Sequence, residues 1–205
     1  MTGIAVRDAA ATEAVGRRFD LSIDITTRFF EAHVDAISAT CLEMARRFEQ
    51  GGRLIVFGTG AAATDAQHVS VEFIHPVIVG KRALPAIALT SDMASVTASS
   101  VGGGFRAMIA ALAREEDIAL GILGDADDRE VTQALAFATN RRLLTIAIGP
   151  EKAGAVAGIH AEHNYRIPCE DPFVTQEVSE TFYHVLWELV HLFLEHRPAG
   201  FGAAS

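Results

Sequence analysis

Cysteine, basic clusters and long hydrophobic runs are all scarce in this chain of 205 residues. Its two cysteines, Cys41 and Cys169, lie far apart and match no metal-binding or redox spacing, which favours a reduced, cytoplasmic setting. The net charge is −9 and no run of Lys or Arg offsets it, so we expect no direct nucleic-acid partner. No stretch is apolar enough to span a membrane and the first residues do not resemble a signal peptide, so we expect no membrane association.

Half of the residues are hydrophobic, which predicts one α/β domain with a complete core. Apolar residues recur every three or four positions from Leu21 to Phe48 and predict a long N-terminal helix that stops at Gly51-Gly52. Beyond it, short apolar runs alternate with helical patterns. The predicted strands are Leu54–Phe57, Ala86–Leu89, Ile118–Leu123, Leu144–Ile148 and Tyr165–Ile167, and the predicted helices are Thr64–Ile74, Phe105–Arg114, Arg129–Thr139 and Thr175–His196. This alternation indicates a parallel sheet covered by helices on both faces, with ligands at the carboxyl ends of the strands.

The most informative segment is the small-residue turn Gly58-Thr59-Gly60, which follows the first predicted strand and opens a helix. The backbone N–H groups and the dipole at such a helix N-terminus favour an anion. The hydroxyl expected beside a phosphate is absent, because the helix begins with Ala61-Ala62-Ala63. The turn therefore keeps the framework of an anion site without one of its contacts.

Further motifs follow in a consistent order along the chain. They are Gly51-Gly52-Arg53, Gly58-x-Gly60, Asp65-Ala66-x-His68, Leu84-Pro85-Ala86-Ile87-Ala88-Leu89-Thr90-Ser91-Asp92 and Gly104-Phe105. From Phe19 to Glu195 the chain resembles a sugar isomerase (SIS) domain, and it is similar to the phosphoheptose isomerase branch, which includes the DnaA initiator-associating proteins. The resemblance implies a three-layer αβα sandwich with a five-stranded parallel sheet and a long N-terminal helix, assembled as a homotetramer. The expected division is an N-terminal segment (1–23), the SIS domain (24–197) and a loose tail (198–205).

The resemblance also implies one divalent ion per subunit, held by residues of two helices. The family's His-x-x-x-Glu is present as His68 and Glu72, and its Gln followed eight residues later by His is present as Gln176 and His184. Two imidazoles, a carboxylate and an amide oxygen suit Zn²⁺. Positions four apart on a helix differ by about 40° in azimuth, so His68 and Glu72 share a face. Three alternatives stay open: metal-free catalysis with Glu72 as base and His184 as acid, an ordinary surface helix pair, and a core histidine at position 184.

The phosphate-binding side of the family pattern is changed. The family's hydroxyl-bearing positions correspond here to Ala62, Leu123, Gly124, Asp125 and Asp128. Carboxylates repel a phosphate dianion, since two like unit charges about 4 Å apart cost about 4 kcal/mol at an effective dielectric constant of about 20. We expect Asp127 or Asp128 to cap the helix that begins at Arg129, so that a carboxylate fills the anion site from within. A divalent-cation loop is the alternative, although the glycine and the spacing of a calcium loop are missing.

The remaining polar groups near the expected cleft suit a neutral or weakly anionic polyol. The candidate ligand-binding residues are Thr59, Ala62, Thr90, Ser91, Asp92, Asp125 and Asp128. Lys81 and Arg82 lie in a predicted loop and offer a second anchor for an anion. His160 and His163 fall in a turn-like segment and are predicted to be surface groups.

Three functions are compatible with the sequence. The first is a divergent SIS protein that binds or acts on a sugar-like ligand with its metal and acid-base residues kept and its phosphate loops lost. The second is a non-catalytic tetrameric interaction scaffold, as in the initiator-associating proteins. The third is sedoheptulose 7-phosphate isomerisation, which requires the phosphate contacts that this chain lacks.

Overall fold

The computed structural model describes residues 9–91, 104–124, 128–151 and 160–196. These ranges contain five α-helices and five strands. The helices are α1 (Ala9–Glu49), α2 (Ala62–Ile74), α3 (Gly104–Leu112), α4 (Arg129–Asn140) and α5 (Pro172–His196). The strands are β1 (Leu54–Gly58), β2 (Ala86–Ala88), β3 (Ile118–Ile122), β4 (Leu144–Pro150) and β5 (His163–Ile167).

The strands form one sheet in the order β2-β1-β3-β4-β5, and every neighbouring pair is parallel. This arrangement confirms the expected αβα sandwich with a five-stranded parallel sheet. The strand order reverses at β1, which pairs with β2 on one side and with β3 on the other. In open α/β sheets the crevice outside the carboxyl ends of two such strands is the usual place for a ligand.

The two faces of the sheet carry separate cores. Leu54 and Val56 of β1 pack with residues of α1, α2 and α5. Ile55 and Phe57, which point to the opposite face because side chains alternate along a strand, pack with residues of α3 and α4. Almost every residue of β1, β3 and β4 is buried, as expected for a parallel sheet covered on both sides.

The long helix α1 begins at Ala9, well before the predicted start at Leu21. The expected division between residues 23 and 24 falls inside this helix, and the expected tail at 198–205 lies outside the described residues. The division into segments therefore stays a prediction. The helix ends at Glu49, followed by Gly51 at φ +88°, a left-handed conformation that glycine adopts without strain.

An ion pair fixes the amino ends of β1 and β3. Asp117 is fully buried and accepts hydrogen bonds from the backbone N of Arg53 at 2.8 Å and from its Nη2 at 2.7 Å. Burial alone raises the pKa of Asp117, but the hydrogen bonds from Arg53 and Arg114 outweigh it and hold the pKa below its ordinary value. Among the described helices, none combines the length and hydrophobicity of a bilayer-spanning segment.

Candidate metal and acid-base site

Helices α2 and α5 bring three of the predicted metal-binding residues together. His68 and Glu72 lie one turn apart on α2, and His184 lies on α5. One ligand atom from each of the three side chains lies within 4.8 Å of the other two. His68 Nε2 is 3.2 Å from Glu72 Oε1, and the His68 and His184 ring centroids are 5.5 Å apart. The alternative of a core histidine at position 184 is wrong, because His184 is exposed.

The fourth predicted residue, Gln176, is oriented by a carboxylate of α2. Its Nε2 donates a hydrogen bond of 3.0 Å to Oδ1 of Asp65, which precedes His68 by almost one helical turn. Because the amide nitrogen is used here, its oxygen is the atom that remains for a ligand. Burial raises the pKa of Asp65, the Gln176 hydrogen bond lowers it, and the nearby Glu180 raises it again, to a net value above the ordinary one.

The other ring nitrogen of His68 faces two further residues of α5. Nδ1 is 3.5 Å from the Tyr183 hydroxyl and 3.8 Å from Glu180 Oε1. A carboxylate behind the distal nitrogen is how proteins orient histidines that bind metals. Burial, and then the negative charges of Glu180, Asp65 and Glu72, raise the pKa of Tyr183, so its hydroxyl stays protonated. Sequence reasoning missed Glu180, although it lies four residues from both Gln176 and His184 on the same helical stripe.

A cavity of about 460 Å³ opens beside these side chains. Its lining residues are Glu72, Val77, Ile78, His184, Trp187 and Glu188. The Trp187 side chain is almost fully buried, and its Nε1 has no hydrogen-bond partner in the part of the chain that the structure describes. The cavity thus combines an apolar wall with a carboxylate and an imidazole, a composition typical of small-molecule sites.

The crevice between the carboxyl ends of β1 and β3 is closed by a hydrogen bond. Thr59, which follows β1, donates from Oγ1 to Oδ2 of Asp128, which precedes α4. The other oxygen of Asp128 accepts a bond of 3.1 Å from the backbone N of Val131 and caps α4. The predicted cap is therefore formed by Asp128, and Asp127 lies outside the described residues.

A second carboxylate occupies the N-terminus of the neighbouring helix α3. Glu130 Oε1 accepts a bond of 2.8 Å from the backbone N of Phe105. The preceding Gly104 has a φ of +76°, and a Cβ atom there would clash with the Glu130 carboxylate. Two helix N-termini near the carboxyl edge of the sheet are thus capped by acidic side chains of the chain itself, and both would repel an incoming anion.

The other predicted ligand-binding residues are spread over different environments. Ala62 is buried in the core at the start of α2. Thr90 and Ser91 lie in a short 3₁₀ turn at Leu89–Ser91, where Ser91 is exposed and Thr90 is buried, with no described partner for its Oγ1. Asp92 and Asp125 lie outside the described residues.

The proposed second anion anchors are engaged elsewhere. Lys81 Nζ pairs with Glu195 at 2.6 Å, and Arg82 pairs with Glu49 at 3.5 Å. His163 is wrongly predicted as a surface group, since it begins β5 and only 18% of its side chain is exposed. Its neighbours in the sequence are polar. An edge strand that packs on one face only has a polar pattern similar to that of a loop, so the start of β5 was not predicted.

A smaller cavity of about 340 Å³ lies at the carboxyl ends of β3, β4 and β5. Its lining residues are Gly124, Pro150, Glu151, Cys169, Glu170, Pro172 and Thr175. The charged side chains among them are both acidic. This edge of the sheet is therefore also unfavourable for a phosphate group.

Comparison with known proteins identifies the family of the chain. A family model described as the SIS domain matches residues 19–149. The chain belongs to the SIS domain family. It is 30% identical over 191 residues to a phosphoheptose isomerase of Thermodesulfovibrio yellowstonii, covering 91% of this chain and 94% of that protein. It is 32% identical over 182 residues to a phosphoheptose isomerase of Aquifex aeolicus, covering 87% and 95%. The structure of a phosphoheptose isomerase from Francisella tularensis superposes on this SIS fold with a TM-score of 0.80 at 26% identity, covering 89% and 98%.

Proposed function

We propose that this chain is an aldose–ketose isomerase whose substrate is a sugar, in its open-chain aldehyde or ketone form, without a terminal phosphate. The observation that carries the proposal is the convergence of His68, Glu72 and His184, whose ligand atoms lie within 4.8 Å of one another, with Glu72 and His184 lining one cavity. A base and an acid that border the same small-molecule cavity are what a proton transfer between adjacent carbons requires.

Glu72 is the proposed base. Only 14% of its side chain is exposed, and its Oε1 faces His68 Nε2 at 3.2 Å. A carboxylate in this position removes the proton from one carbon of the substrate and returns it to the next. His184, exposed at the same cavity, is the proposed acid: it donates a proton to the carbonyl oxygen and recovers one from the neighbouring hydroxyl as that oxygen becomes the new carbonyl.

In the alternative to this metal-free arrangement, the same side chains hold a divalent ion. His68, Glu72 and His184 would supply two nitrogens and an oxygen. Gln176 is the proposed fourth ligand through its amide oxygen, since Asp65 holds its nitrogen. Such a ligand set suits Zn²⁺, and the ion would polarise the carbonyl group of the substrate. Asp65 and Glu180 then act as positioning residues, Asp65 for Gln176 and Glu180 for His68.

The proposed exclusion of a phosphate rests on the crevice between the carboxyl ends of β1 and β3. Asp128 bonds Thr59 across the β1–β3 crevice and caps α4, while Glu130 caps α3. A bound phosphate would replace these contacts and lie beside both carboxylates. A hydroxyl-rich ligand end meets no such repulsion.

We also propose a homo-oligomer, and the family resemblance favours a tetramer. The end of α2 and the segment after it expose a cluster of large apolar side chains: Val71 at 56%, Ile74 at 48%, Val77 at 71%, Ile78 at 50% and Val79 at 100%. Some of them border the cavity of Glu72 and His184, so a neighbouring subunit on this surface would complete its wall. A monomeric mass by light scattering at micromolar concentration would contradict this proposal.

The activity is tested by hydrogen exchange. The protein, with and without added Zn²⁺, is incubated in D₂O with a panel of aldoses and ketoses, and deuterium at C1 and C2 is followed by NMR. The proposal expects incorporation and interconversion with at least one unphosphorylated sugar, lost in Glu72→Gln. Exchange that is equal in wild type and Glu72→Gln for every sugar would overturn it and favour the scaffold function.

A second candidate is phosphoheptose isomerisation, which is favoured by the names of the relatives that align over most of the chain. In that case a phosphate must find an anchor away from the Asp128 carboxylate, and Lys81 is the proposed anchor once it leaves Glu195. Millimolar binding of sedoheptulose 7-phosphate by calorimetry, weakened in Lys81→Ala, would support this candidate over the first.

A further inference from the structure

A second group of metal-ligating side chains lies at the amino end of the edge strand β5. Glu43 comes from α1, whereas Glu162 and His163 lie at the start of β5. One ligand atom from each side chain lies within 4.8 Å of the other two. His163 Nε2 is 3.0 Å from Glu43 Oε2. The group belongs to other elements than the α2–α5 site and lies at the opposite edge of the sheet from the carboxyl-end crevice.

Buried hydrogen bonds hold both sides of this group in place. The Thr40 and Tyr165 hydroxyls are 2.6 Å apart and join α1 to β5 within one helical turn of Glu43 and two residues of His163. The backbone N of Glu162 donates a bond of 2.9 Å to Oγ1 of the buried Thr145 on β4. A site whose backbone supports are fixed in this way needs little reorganisation to bind an ion.

The charges of the group favour a cation. Glu43 and Glu162 bring two carboxylates close together, and like charges at this separation repel. Within the described ranges, no lysine or arginine forms an ion pair with either of them. The group is also reachable from solvent, since 38% of the Glu43 side chain is exposed and Glu162 is an exposed residue.

We propose that Glu43, Glu162 and His163 form a second divalent-cation site, which fastens α1 to the edge strand β5. One imidazole nitrogen and two carboxylate oxygens suit Zn²⁺, a borderline-soft ion that accepts both donor types. The ion neutralises both carboxylates and replaces a single side-chain contact by three bonds between two elements. Its role is structural: it stabilises the folded chain and takes no part in the reaction at Glu72 and His184.

The test uses Zn²⁺ itself and a background without the first site. The double variant His68→Ala/His184→Ala is loaded with Zn²⁺, passed through a desalting column and analysed for metal. The site predicts about one retained ion per chain and a higher unfolding temperature with Zn²⁺ than with a chelator. His163→Ala and Glu43→Gln in the same background should lose both effects.

His160→Ala is the matched control, because His160 is an exposed histidine three residues from His163. It should retain the ion and the shift in unfolding temperature. If His163→Ala does not fold, Glu162→Gln is tested in its place. Glu162 is exposed, so this substitution leaves the packing intact. It should weaken Zn²⁺ binding about tenfold or more. Loss of all zinc in the His68→Ala/His184→Ala background, or equal retention in wild-type and substituted clusters, would overturn the proposal.

Discussion

Two regions of this SIS domain use acidic side chains in opposite ways. Between α2 and α5, the Glu72 carboxylate faces imidazole groups at the wall of a cavity, where it is available to a ligand. Between the carboxyl ends of β1 and β3, the Asp128 carboxylate accepts hydrogen bonds from Thr59 and from the N-terminus of α4. The first carboxylate borders a cavity, whereas the second holds two segments of the chain together.

We infer from this difference that the crevice limits which substrates bind. The α2–α5 pair keeps side chains whose ligand atoms converge, as proton transfer and metal binding require. The crevice keeps the tight turn and the helix N-termini, but the Asp128 and Glu130 carboxylates beside it accept hydrogen bonds instead of donating them. A phosphate needs donors, whereas a sugar ring or chain needs both kinds of group.

The largest expected effect is on the turnover rate. Its absence would contradict the proposed difference between the two regions. Glu72→Gln removes the proposed base while keeping the side-chain shape, so the rate should fall by about 10²–10⁴-fold. The exposed Glu31→Gln on α1 serves as the control and should leave the rate unchanged. A loss of less than tenfold in Glu72→Gln would mean that the α2–α5 region does not carry the proton transfer.

The next effect concerns metal at the same helices. Zn²⁺ at about 100 times its dissociation constant should stabilise the folded chain by about 2.7 kcal/mol through mass action, in addition to any contribution from other sites. His184→Ala should remove this increment, whereas His196→Ala, an exposed histidine near the end of α5, should keep it. Urea unfolding with Zn²⁺ and with a chelator measures both. Equal increments in the two variants would favour the metal-free arrangement of Glu72 and His184.

The next effect concerns the negative charge of Asp128 at the crevice between β1 and β3. Asp128→Ser keeps a side chain that caps α4 and removes a carboxylate from the place a phosphate would occupy. Because one like charge at about 4 Å costs about 1–4 kcal/mol, affinity for a sugar phosphate should rise about tenfold or more. Calorimetric titration of wild type and Asp128→Ser measures the change. Unaltered affinity would show that Asp128 does not guard the crevice.

The smallest effect is on stability. Asp128→Ala removes both the helix cap and the acceptor of Thr59, so the free energy of unfolding should fall by about 1 kcal/mol, within a range of about 0.5–2 kcal/mol. Asp128→Ser should restore most of this loss. If Asp128→Ala is as stable as the wild type, the carboxylate has no structural role and the contrast between the two regions fails.

Much of the fold could be predicted because parallel strands bury nearly every residue, so β1, β3 and β4 read as apolar runs. The start of α1 could not, because residues 9 to 20 are almost all exposed and carry no apolar period. The position of His163 in a strand could not be predicted, because its neighbours in β5 are polar. The pairing of His68 with Glu72 follows from helical spacing, but the bond from Gln176 to Asp65 depends on how α2 and α5 cross, which spacing alone does not determine.

The most direct test compares sedoheptulose with sedoheptulose 7-phosphate, two substrates that differ only in the phosphate. The wild-type protein is assayed with each for kcat/KM, with Glu72→Gln as the inactive reference. We expect no detectable turnover and no millimolar binding of the 7-phosphate, with any activity confined to sugars that carry no phosphate. Saturable turnover of sedoheptulose 7-phosphate by the wild type, lost in Glu72→Gln, would contradict it, because the phosphate would then have an anchor that Asp128 and Glu130 do not block.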